Sequence, residues 1–526
     1  MDTKALRQKI LDLAIRGKLV PQDPNDEPAE VLLERIREQK QQMLKEGKLK
    51  KKDIKNDTII FKGEDNLHYE KFQDGTVKCI EDEIPFEVPE GWSWARVRDI
   101  AMVKGGKRLP KGASFSEEIT THAYIRVTDM KNHSVNISNL RYISDEIFLA
   151  IKNYTIAKDD LYVTIAGTIG VVGEIPDKLD GMNLTENAVK ITNIAINKSF
   201  LCIILQTDFV QQQFQDKTHQ VAMPKLALER ILSTLIPICP YVQQLQIVDR
   251  FQVCDNFLST IDTEKEELQK IVSLSKSKIL DLAIRGKLVP QDLNDDPASV
   301  LIERIRAEKE ELIKQGKIKR NKKESVIFKG DDNSYYEKIG DKIENIDDQI
   351  PFDLPQGWLW CRGYSCFEGM ESTKPQGEYF DYIDIDAIDN RNHCIKESKH
   401  LPVENAPSRA IRAVRKGSVL FSLVRPYLEN IAIVDEKHSN CIASTGFYIC
   451  NSNGVLLPEF MFFLMISGYV VNGLNQFMKG DNSPSISKGN IENWLYPVPP
   501  ANEQEAICNK LNTFSAIIVN IEKSLN

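Results

Sequence analysis

The chain lacks long apolar runs, paired cysteines and any signature of export. No segment approaches the roughly 18 consecutive apolar residues needed to cross a bilayer. Charges are scattered through residues 1–15, where a signal peptide would have an apolar core. The ten cysteines stand singly, with no CxxC pair, which favours buried, reduced thiols over disulfides or zinc sites. These absences predict a cytoplasmic protein that makes no membrane contact.

The chain also lacks basic excess and recognisable catalytic motifs. Its net charge is -8, so any contact with nucleic acid must be local. No GxxxxGK[ST] phosphate loop, no Asn/Asp-Pro-Pro-aromatic element and no clear nuclease cluster of carboxylates and lysine is present. The run GTIGVVG (167–173) has GxxGxxG spacing and leads into a β-like run, which predicts a tight hairpin rather than a dinucleotide site. We therefore expect a protein that is not an enzyme and binds no metal or cofactor itself.

What the chain does contain is an internal repeat. The stretch KILDLAIRGKLVPQD occurs at residues 9–23 and again at 278–292. A parallel series follows each copy, ending in IPFEVPEGWSW in the first and IPFDLPQGWLW in the second. Residues 95–231 and 361–491, which come after these series, share almost no identity. The chain is therefore two copies of one scaffold that carry different inserts.

The repeat also relates the two ends of the chain. Aligned on the repeat, the C-terminal segment stops and the N-terminal segment begins within a few residues of each other on the central segment. This predicts a pseudo-two-fold, nearly circular organisation with the terminal helices packed side by side.

Helical periodicity is clearest in the centre of the chain. Apolar positions from Ile247 to Leu282 step by four and three residues, with Leu268 among them, which predicts a coiled-coil seam ending at Gly286. A second helix is expected after each repeat, at 28–46 and 297–315, with Asp26 and Asp295 as capping candidates. The two inserts instead contain short β-rich runs followed by helical portions. The predicted fold class is α+β, with two mixed α/β globules separated by long antiparallel coiled-coil helices.

These features together resemble the specificity subunit of type I restriction-modification enzymes. The resemblance rests on the LAIRGKLVPQD element in both copies, the GW-W motif before each insert and the PxPPxxEQ motif at 497–504 after the second. It implies five parts: 1–91 (N-terminal helical repeat and linker), 92–235 (first target-recognition domain), 236–357 (central helical spacer and linker), 358–495 (second target-recognition domain) and 496–526 (C-terminal helix). The first insert departs from the family pattern at its end, where Cys239 and Gln243 stand in place of Pro499 and Glu503.

The resemblance also implies a function and partners. Each target-recognition domain would read half of a gapped sequence in double-stranded DNA. The helices would set the gap and dock two methyltransferase subunits, and restriction/translocase subunits would complete the complex. The partners, not this chain, would bring S-adenosylmethionine, ATP and magnesium.

The candidate DNA contacts are cationic, amide and hydroxyl side chains in glycine- or proline-bearing loops and at strand ends. In the first insert they are Lys104, Lys107, Arg108, Lys111, Arg126, Thr128 and Asn187. In the second they are Arg409, Arg412, Arg415 and Lys416, at near-helical spacing, together with Arg425, Tyr427, Asn482 and Ser483. For each residue the alternative is an ordinary surface or core position. Two other functions stay open: a recognition module for a different effector, and a coiled-coil scaffold that binds only protein.

Overall fold

The computed structural model describes residues 2–215, 225–292, 294–317 and 324–525. These residues form two compact units, Met1–Glu264 and Lys265–Asn526. Among the described residues, no helix is both long enough and apolar enough to span a membrane.

The first unit contains helices α1 to α8, the start of α9, and strands β1 to β15. The helices are α1 (Thr3–Ile15), α2 (Ala29–Lys45), α3 (Lys51–Ile54), α4 (Val97–Ile100), α5 (Asp145–Ile151), α6 (Lys198–Leu205), α7 (Asp208–Gln215), α8 (Leu228–Ser233) and α9 (Tyr241–Ile284). The strands are β1 (Ile59–Lys62), β2 (His68–Lys71), β3 (Val77–Cys79), β4 (Ser93–Arg96), β5 (Met102–Gly105), β6 (Ala123–Ile125), β7 (Met130–Lys131), β8 (Ser134–Val135), β9 (Arg141–Tyr142), β10 (Thr155–Ile156), β11 (Leu161–Thr164), β12 (Val172–Glu174), β13 (Met182–Leu184), β14 (Ala188–Thr192) and β15 (Leu235–Ile238).

The second unit begins within α9. Its further helices are α10 (Ala298–Lys314), α11 (Gly363–Cys366), α12 (Pro458–Met465), α13 (Gly468–Asn475), α14 (Lys488–Asn493) and α15 (Ala501–Leu525). Its strands are β16 (Ser325–Lys329), β17 (Tyr335–Ile339), β18 (Lys342–Asn345), β19 (Leu359–Arg362), β20 (Tyr379–Ile383), β21 (Ile388–Asp389), β22 (Cys394–Ile395), β23 (Lys399–Pro402), β24 (Ala410–Ala413), β25 (Val419–Ser422), β26 (Ile431–Ile433), β27 (Ile442–Ser444), β28 (Phe447–Cys450) and β29 (Leu495–Val498).

The two inserts share one topology, as their β-rich runs predicted. One sheet has the strand order β10-β13-β6-β9 in the first unit and β24-β27-β20-β23 in the second. The other has the order β12-β11-β14-β5 in the first and β26-β25-β28 in the second. The GTIGVVG run connects β11 to its antiparallel partner β12, so the prediction of a hairpin is confirmed.

The long helix α9 packs against the chain terminus that belongs to the same unit. In the first unit Arg7 bonds to Asp255 at 2.6 Å and Thr3 to Asp262 at 2.6 Å, so α1 runs antiparallel to α9. In the second unit Lys276 of α9 donates to Glu522 of α15 at 2.7 Å. The helix ends at Ile284, before Gly286 with a φ of 63°, as predicted. The predicted seam is wrong at Leu268, which is 47% exposed, because the apolar side chains here do not all face one helix.

The predicted caps of the second helices are also wrong. Pro28 and Pro297 occupy the N-cap positions of α2 and α10, and neither helix has a side-chain cap. The first N–H group of α2, on Ala29, donates instead to the carbonyl of Gly91 at 2.8 Å. The matching N–H of α10 donates to Gly357, also at 2.8 Å. The glycine of each GW-W motif therefore caps the helix that precedes the insert, with φ values of 79° and 85° that favour glycine.

One arginine joins each insert to its scaffold: Arg96, which is buried, in the first unit and Arg362, which is half-buried, in the second. Arg96, at the end of β4, donates to both carboxylate oxygens of Glu70 on β2 and to the carbonyl of Ser233, where the insert ends. Arg362 makes the same contacts with Glu337 and with the carbonyl of Asn493. Hydrogen bonds and charge from Arg362 lower the pKa of Glu337 even though burial alone would raise it. One guanidinium thus joins the small sheet, the first strand and the last turn of each insert.

The tryptophan of each GW-W motif contacts the first turn of the helix that follows the insert. The Trp92 indole donates to the side chains of Gln243 at 2.9 Å and Gln22 at 3.0 Å. The Trp358 indole donates to the buried carboxylate of Glu503 at 2.8 Å. Gln243 and Glu503, where the first unit departs from the family pattern, therefore hold matching positions. One is an amide and the other a carboxylate.

All ten cysteines are free thiols. Seven are buried and Cys254 is half-buried, as predicted, but Cys79 and Cys394 are exposed, since both lie on strands at the surface.

Candidate nucleic-acid interface

The first insert brings two strand ends to one edge of a sheet. Strands β6 and β13 are parallel, with Asn183 opposite Tyr124. Because parallel strands end at the same edge, the segments 126–128 and 185–187 that follow them lie side by side. The loop after β5 crosses this edge, where the N–H of Lys107 donates to Leu184 at 2.9 Å. Gly106 makes this crossing possible, since a Cβ there would lie 2.1 Å from the carbonyl oxygen of Thr185.

These three segments enclose a cleft of about 400 Å³. Ten residues line it: Arg108, Leu109, Phe115, Tyr124, Arg126, Val127, Thr128, Thr185, Glu186 and Asn187. Four of the residues predicted from the sequence, Arg108, Arg126, Thr128 and Asn187, therefore share one site. The cleft contains donors and acceptors on an aromatic and aliphatic base, which is suited to the polar edges of a ligand.

The three predicted lysines lie outside this cleft. Lys104 is on β5, opposite Lys190 of β14. Lys107 places its ammonium 5.4 Å from the centre of the Tyr154 ring. Lys111 is exposed. The three lysines therefore form a cationic surface beside the cleft and do not line it.

An ion pair sits at the mouth of the cleft. Arg108 donates to Glu186 at 2.7 Å, and its side chain is 79% exposed. The other carboxylate oxygen of Glu186 accepts from Thr185 at 3.1 Å and from Tyr124 at 3.3 Å. Burial alone would raise the pKa of Glu186. Its hydrogen bonds, of which the one from Arg108 has the largest effect, outweigh burial and bring the pKa below its ordinary value. The carboxylate is therefore charged at neutral pH. Burial also raises the pKa of Tyr124 to about 12, which keeps this phenol a neutral donor.

Arg126 has its guanidinium already bound. It donates twice to Asp129, at 2.7 and 3.0 Å, and once to the carbonyl of Asn139 at 3.0 Å. These bonds close a short turn after β6 and raise the pKa of Arg126. Reading a base with both of its outer nitrogens would require Arg126 to release a partner.

In the second insert the cationic run does not form a helix. Arg412 lies on strand β24, beside a bulge, so the near-helical spacing of these residues does not place them on one helix face. The bulge and the turn after β24 replace regular alternation. Arg409 is exposed before the strand, Arg415 pairs with Glu368 at 2.7 Å, and Lys416 pairs with Glu436 at 2.8 Å. The Nε of Arg412 has no hydrogen-bond partner within the part of the chain that the structure describes.

The other four predicted residues of the second insert come together. The backbone N–H of Arg425 donates to Pro484 at 2.7 Å, and its guanidinium donates to the carbonyl of Asn482 at 3.0 Å. Pro426 begins a tight turn, with Arg425 at a φ of 48°. Tyr427 on that turn is 47% exposed, and Ser483 is exposed on the facing loop. Two loops far apart in sequence thus present one polar, aromatic surface.

Glu186 was not among the residues predicted from the sequence. A search for cationic and amide side chains passes over a carboxylate, although Glu186 directly precedes the predicted Asn187. The contacts by which Arg96 and Arg362 join each insert to its scaffold were also not predicted. Their signal was the arginine that follows the GW-W motif in both copies.

A second surface is the same in both units. On the three-stranded sheet β1-β2-β3, Ile59, Phe61 and Val77 are exposed, and Phe61 stacks on Tyr69 at 5.9 Å. On β16-β17-β18 the matching residues are Val326, Phe328 and Ile343, and Phe328 stacks on Tyr336 at 5.9 Å. We call these six aliphatic and aromatic side chains, with their two tyrosines, the paired sheet faces. Exposed apolar faces of this kind commonly mark protein contacts.

Comparison with known proteins gives consistent matches. A family model described as "Type I restriction modification DNA specificity domain" matches residues 89–271. The specificity subunit of the type I restriction enzyme EcoAI from Escherichia coli is 26% identical, across 97% of this chain and 88% of its own length. The EcoEI specificity subunit from the same organism is 24% identical, across 99% of this chain and 90% of its own.

Two solved structures also match. The HsdS subunit from Thermoanaerobacter tengcongensis matches 33% of this chain and 46% of its own, with 35% identity and a TM-score of 0.31. The type I S subunit from M. genitalium matches 84% of this chain and 94% of its own, with 13% identity and a TM-score of 0.31.

Proposed function

We propose that this chain, which belongs to the specificity subunits of type I restriction-modification enzymes, reads a gapped, two-part sequence in double-stranded DNA, one half with each insert. The observation that carries the proposal is the contrast between the two inserts. They share one topology, yet one presents Arg108, Glu186 and Asn187 at its strand ends and the other presents Arg425 and Tyr427 on a turn. Two readers with one fold and different contact groups suit two different half-sites.

The scaffold supports a spacer between the half-sites. Helix α9 runs through 44 residues, or roughly 66 Å at about 1.5 Å per residue. In each unit a terminal helix packs along it, α1 in the first and α15 in the second. The nearly circular, pseudo-two-fold organisation is part of the same proposal. A rigid helix of fixed length would set a fixed gap between the two half-sites.

The paired sheet faces support two copies of one partner. Phe61 and Phe328 are each 37% exposed and hold matching positions, while the inserts beside them have diverged. A repeated face would bind the same protein twice, and we assign it to two methyltransferase subunits. Methyl transfer and cleavage would be performed by these and the restriction/translocase subunits, with their S-adenosylmethionine, ATP and magnesium. This chain would direct these subunits to their DNA sequence and would not itself catalyse a reaction. The complex would act in the cytoplasm.

The test is exchange of one reader combined with a salt titration. Residues 95–231 are replaced by the corresponding segment of a related specificity subunit, and the methylated sequence is determined for the assembled enzyme. One half of the sequence should change and the other half should stay. Binding of the complex to its site should weaken steeply with added salt, because phosphate contacts release counterions. A change in both halves, or binding that ignores salt, would contradict the proposal.

Partner number is tested separately by mass measurement of the intact complex. Phe61→Ser alone and Phe328→Ser alone should each reduce the number of bound methyltransferase subunits from two to one, and the double variant should bind none. The exposed Leu274→Ser on α9 is the control for loss of an apolar side chain. Two bound subunits in the double variant would refute the assignment of the paired sheet faces.

A further inference from the structure

Glu186 is the one carboxylate among the ten residues that line the first insert's cleft. It lies between cationic and amide groups of the kind that contact DNA. A carboxylate at a DNA-binding surface repels phosphate, so its place in this cleft calls for a different role. The structure suggests one, because the two carboxylate oxygens of Glu186 are held in different ways.

One oxygen is fixed and the other is exchangeable. The Oε2 atom accepts from the hydroxyl of Thr185 at 3.1 Å. The single hydroxyl hydrogen of Tyr124 is shared between the carbonyl of Lys107 at 2.7 Å, which is the shorter contact, and this Oε2 atom at 3.3 Å. These bonds orient the carboxylate in advance. The Oε1 atom accepts only from Arg108 among the hydrogen bonds of the described residues. Arg108 is mostly exposed, so this pair is open to solvent and readily exchanged.

DNA would compete for Arg108. A phosphate or a guanine edge offers the guanidinium two acceptors in a planar arrangement, which a single contact to Glu186 does not match. When Arg108 moves to DNA, the Oε1 atom of Glu186 is left as a charged, oriented acceptor that faces into the cleft. Its matching donor on DNA is an exocyclic amino group in the major groove, N4 of cytosine or N6 of adenine.

We propose that Glu186 is a specificity-determining residue of the first insert, paired with Arg108 in the free protein and accepting a hydrogen bond from a cytosine or adenine amino group in the complex. This inference rests on the proposed function. It is particular to the first insert, because Thr445 and Gly446 occupy the matching turn between β27 and β28. The second half-site therefore has no equivalent reading.

The test is binding of the assembled methyltransferase complex to DNA in which each position of the first half-site is varied. The wild-type complex should prefer one base at least tenfold at one position. Glu186→Leu, which removes the acceptor, should lose most of that preference and keep the others. It should also bind unrelated DNA more tightly, with a steeper salt dependence, because one negative charge is gone and Arg108 is free.

Base analogues identify the amino group. Pyrimidin-2-one in place of cytosine, or purine in place of adenine, removes only that group. One of the two should weaken wild-type binding and leave Glu186→Leu unaffected. Arg108→Gln should weaken binding to all sequences and lower the salt dependence by about one ion. Glu174→Leu, which removes a charge paired with Lys198 outside the cleft, is the matched control and should change neither property.

The outcomes separate the two proposals. Unchanged discrimination by Glu186→Leu at every position, with circular dichroism matching the wild type, would overturn the role of Glu186. Equal loss on every duplex would do the same. A wild-type complex with no sequence preference would overturn the proposed function itself.

Discussion

The sharpest prediction concerns Glu503, a buried carboxylate at a position where the other unit has an amide. Glu503 is 5% exposed. Its Oε2 atom accepts from the Trp358 indole. Burial raises the pKa of Glu503, and hydrogen bonds from Trp358 and Gln291 only partly offset this. At the matching position, Gln243 accepts from the Trp92 indole without a charge.

We expect Glu503→Gln to stabilise the second unit at neutral pH by about 1–3 kcal/mol, the usual desolvation cost of a buried polar group, because the amide keeps an acceptor for Trp358 and carries no charge. The sign with pH follows from the raised pKa. The protonated carboxyl is favoured in the folded state, so its stabilising contribution is present below the ordinary pKa of 4.5. That contribution is lost as the pH rises through the folded-state pKa. The wild type should therefore lose stability from pH 4.5 towards neutral relative to Glu503→Gln.

Hydrogen exchange followed by mass spectrometry measures this, because the peptide at the start of α15 reports the second unit alone. Rates are corrected for the intrinsic effect of pH on exchange. Gln243→Glu is the matched control and should lower protection in the first unit, since its carboxylate would lie beside the oxygen of Gln22 that shares the same indole. Equal protection of the wild type and Glu503→Gln from pH 5 to 8 would refute the reasoning.

Two further predictions follow from the scaffold. Arg362→Met should leave Glu337 buried without its cation and destabilise the second unit by about 3–5 kcal/mol, and Arg96→Met should do the same to the first unit. Denaturant unfolding of each variant measures this. A loss below about 1 kcal/mol would show that the arginine–glutamate pair does not stabilise the fold. Inserting seven residues into α9 between Leu258 and Leu268 adds roughly 10 Å of helix, so the recognised gap should lengthen by about three base pairs or activity should be lost. An unchanged gap with full activity would exclude a spacer role for α9.

The repeated parts of the fold could be predicted from the sequence because the pattern appears twice. Gly286 ended α9 as expected, and the two inserts have matching strand orders. The helix caps could not be predicted in the same way. Asp26 and Asp295 have suitable side chains, but the carbonyls of Gly91 and Gly357 bind the first N–H group instead. Those glycines are more than 50 residues away in sequence, and only the fold brings them to the helix.

The candidate site was predictable by residue type but not by geometry. Arg108 and Asn187 are far apart in the chain, and the antiparallel pairing of β5 with β14 brings them together. No local pattern specifies that pairing. Arg409 and Arg412 have near-helical spacing, but the hydrogen bonds of β27 hold Arg412 in a strand, so spacing alone does not show which side chains share a surface. Glu186 was missed because its role depends on neighbours that only the folded chain supplies.

The most direct test of the central claim is base-resolution methylation sequencing of the host genome with and without this gene. The account predicts that deletion removes methylation from one gapped, asymmetric motif and from no other. Restoring the gene with Glu186→Leu should bring back methylation with relaxed selection at one position of one half. Methylation that is unchanged by deletion, while the partner methyltransferase is expressed, would contradict the claim that this chain selects the sequence.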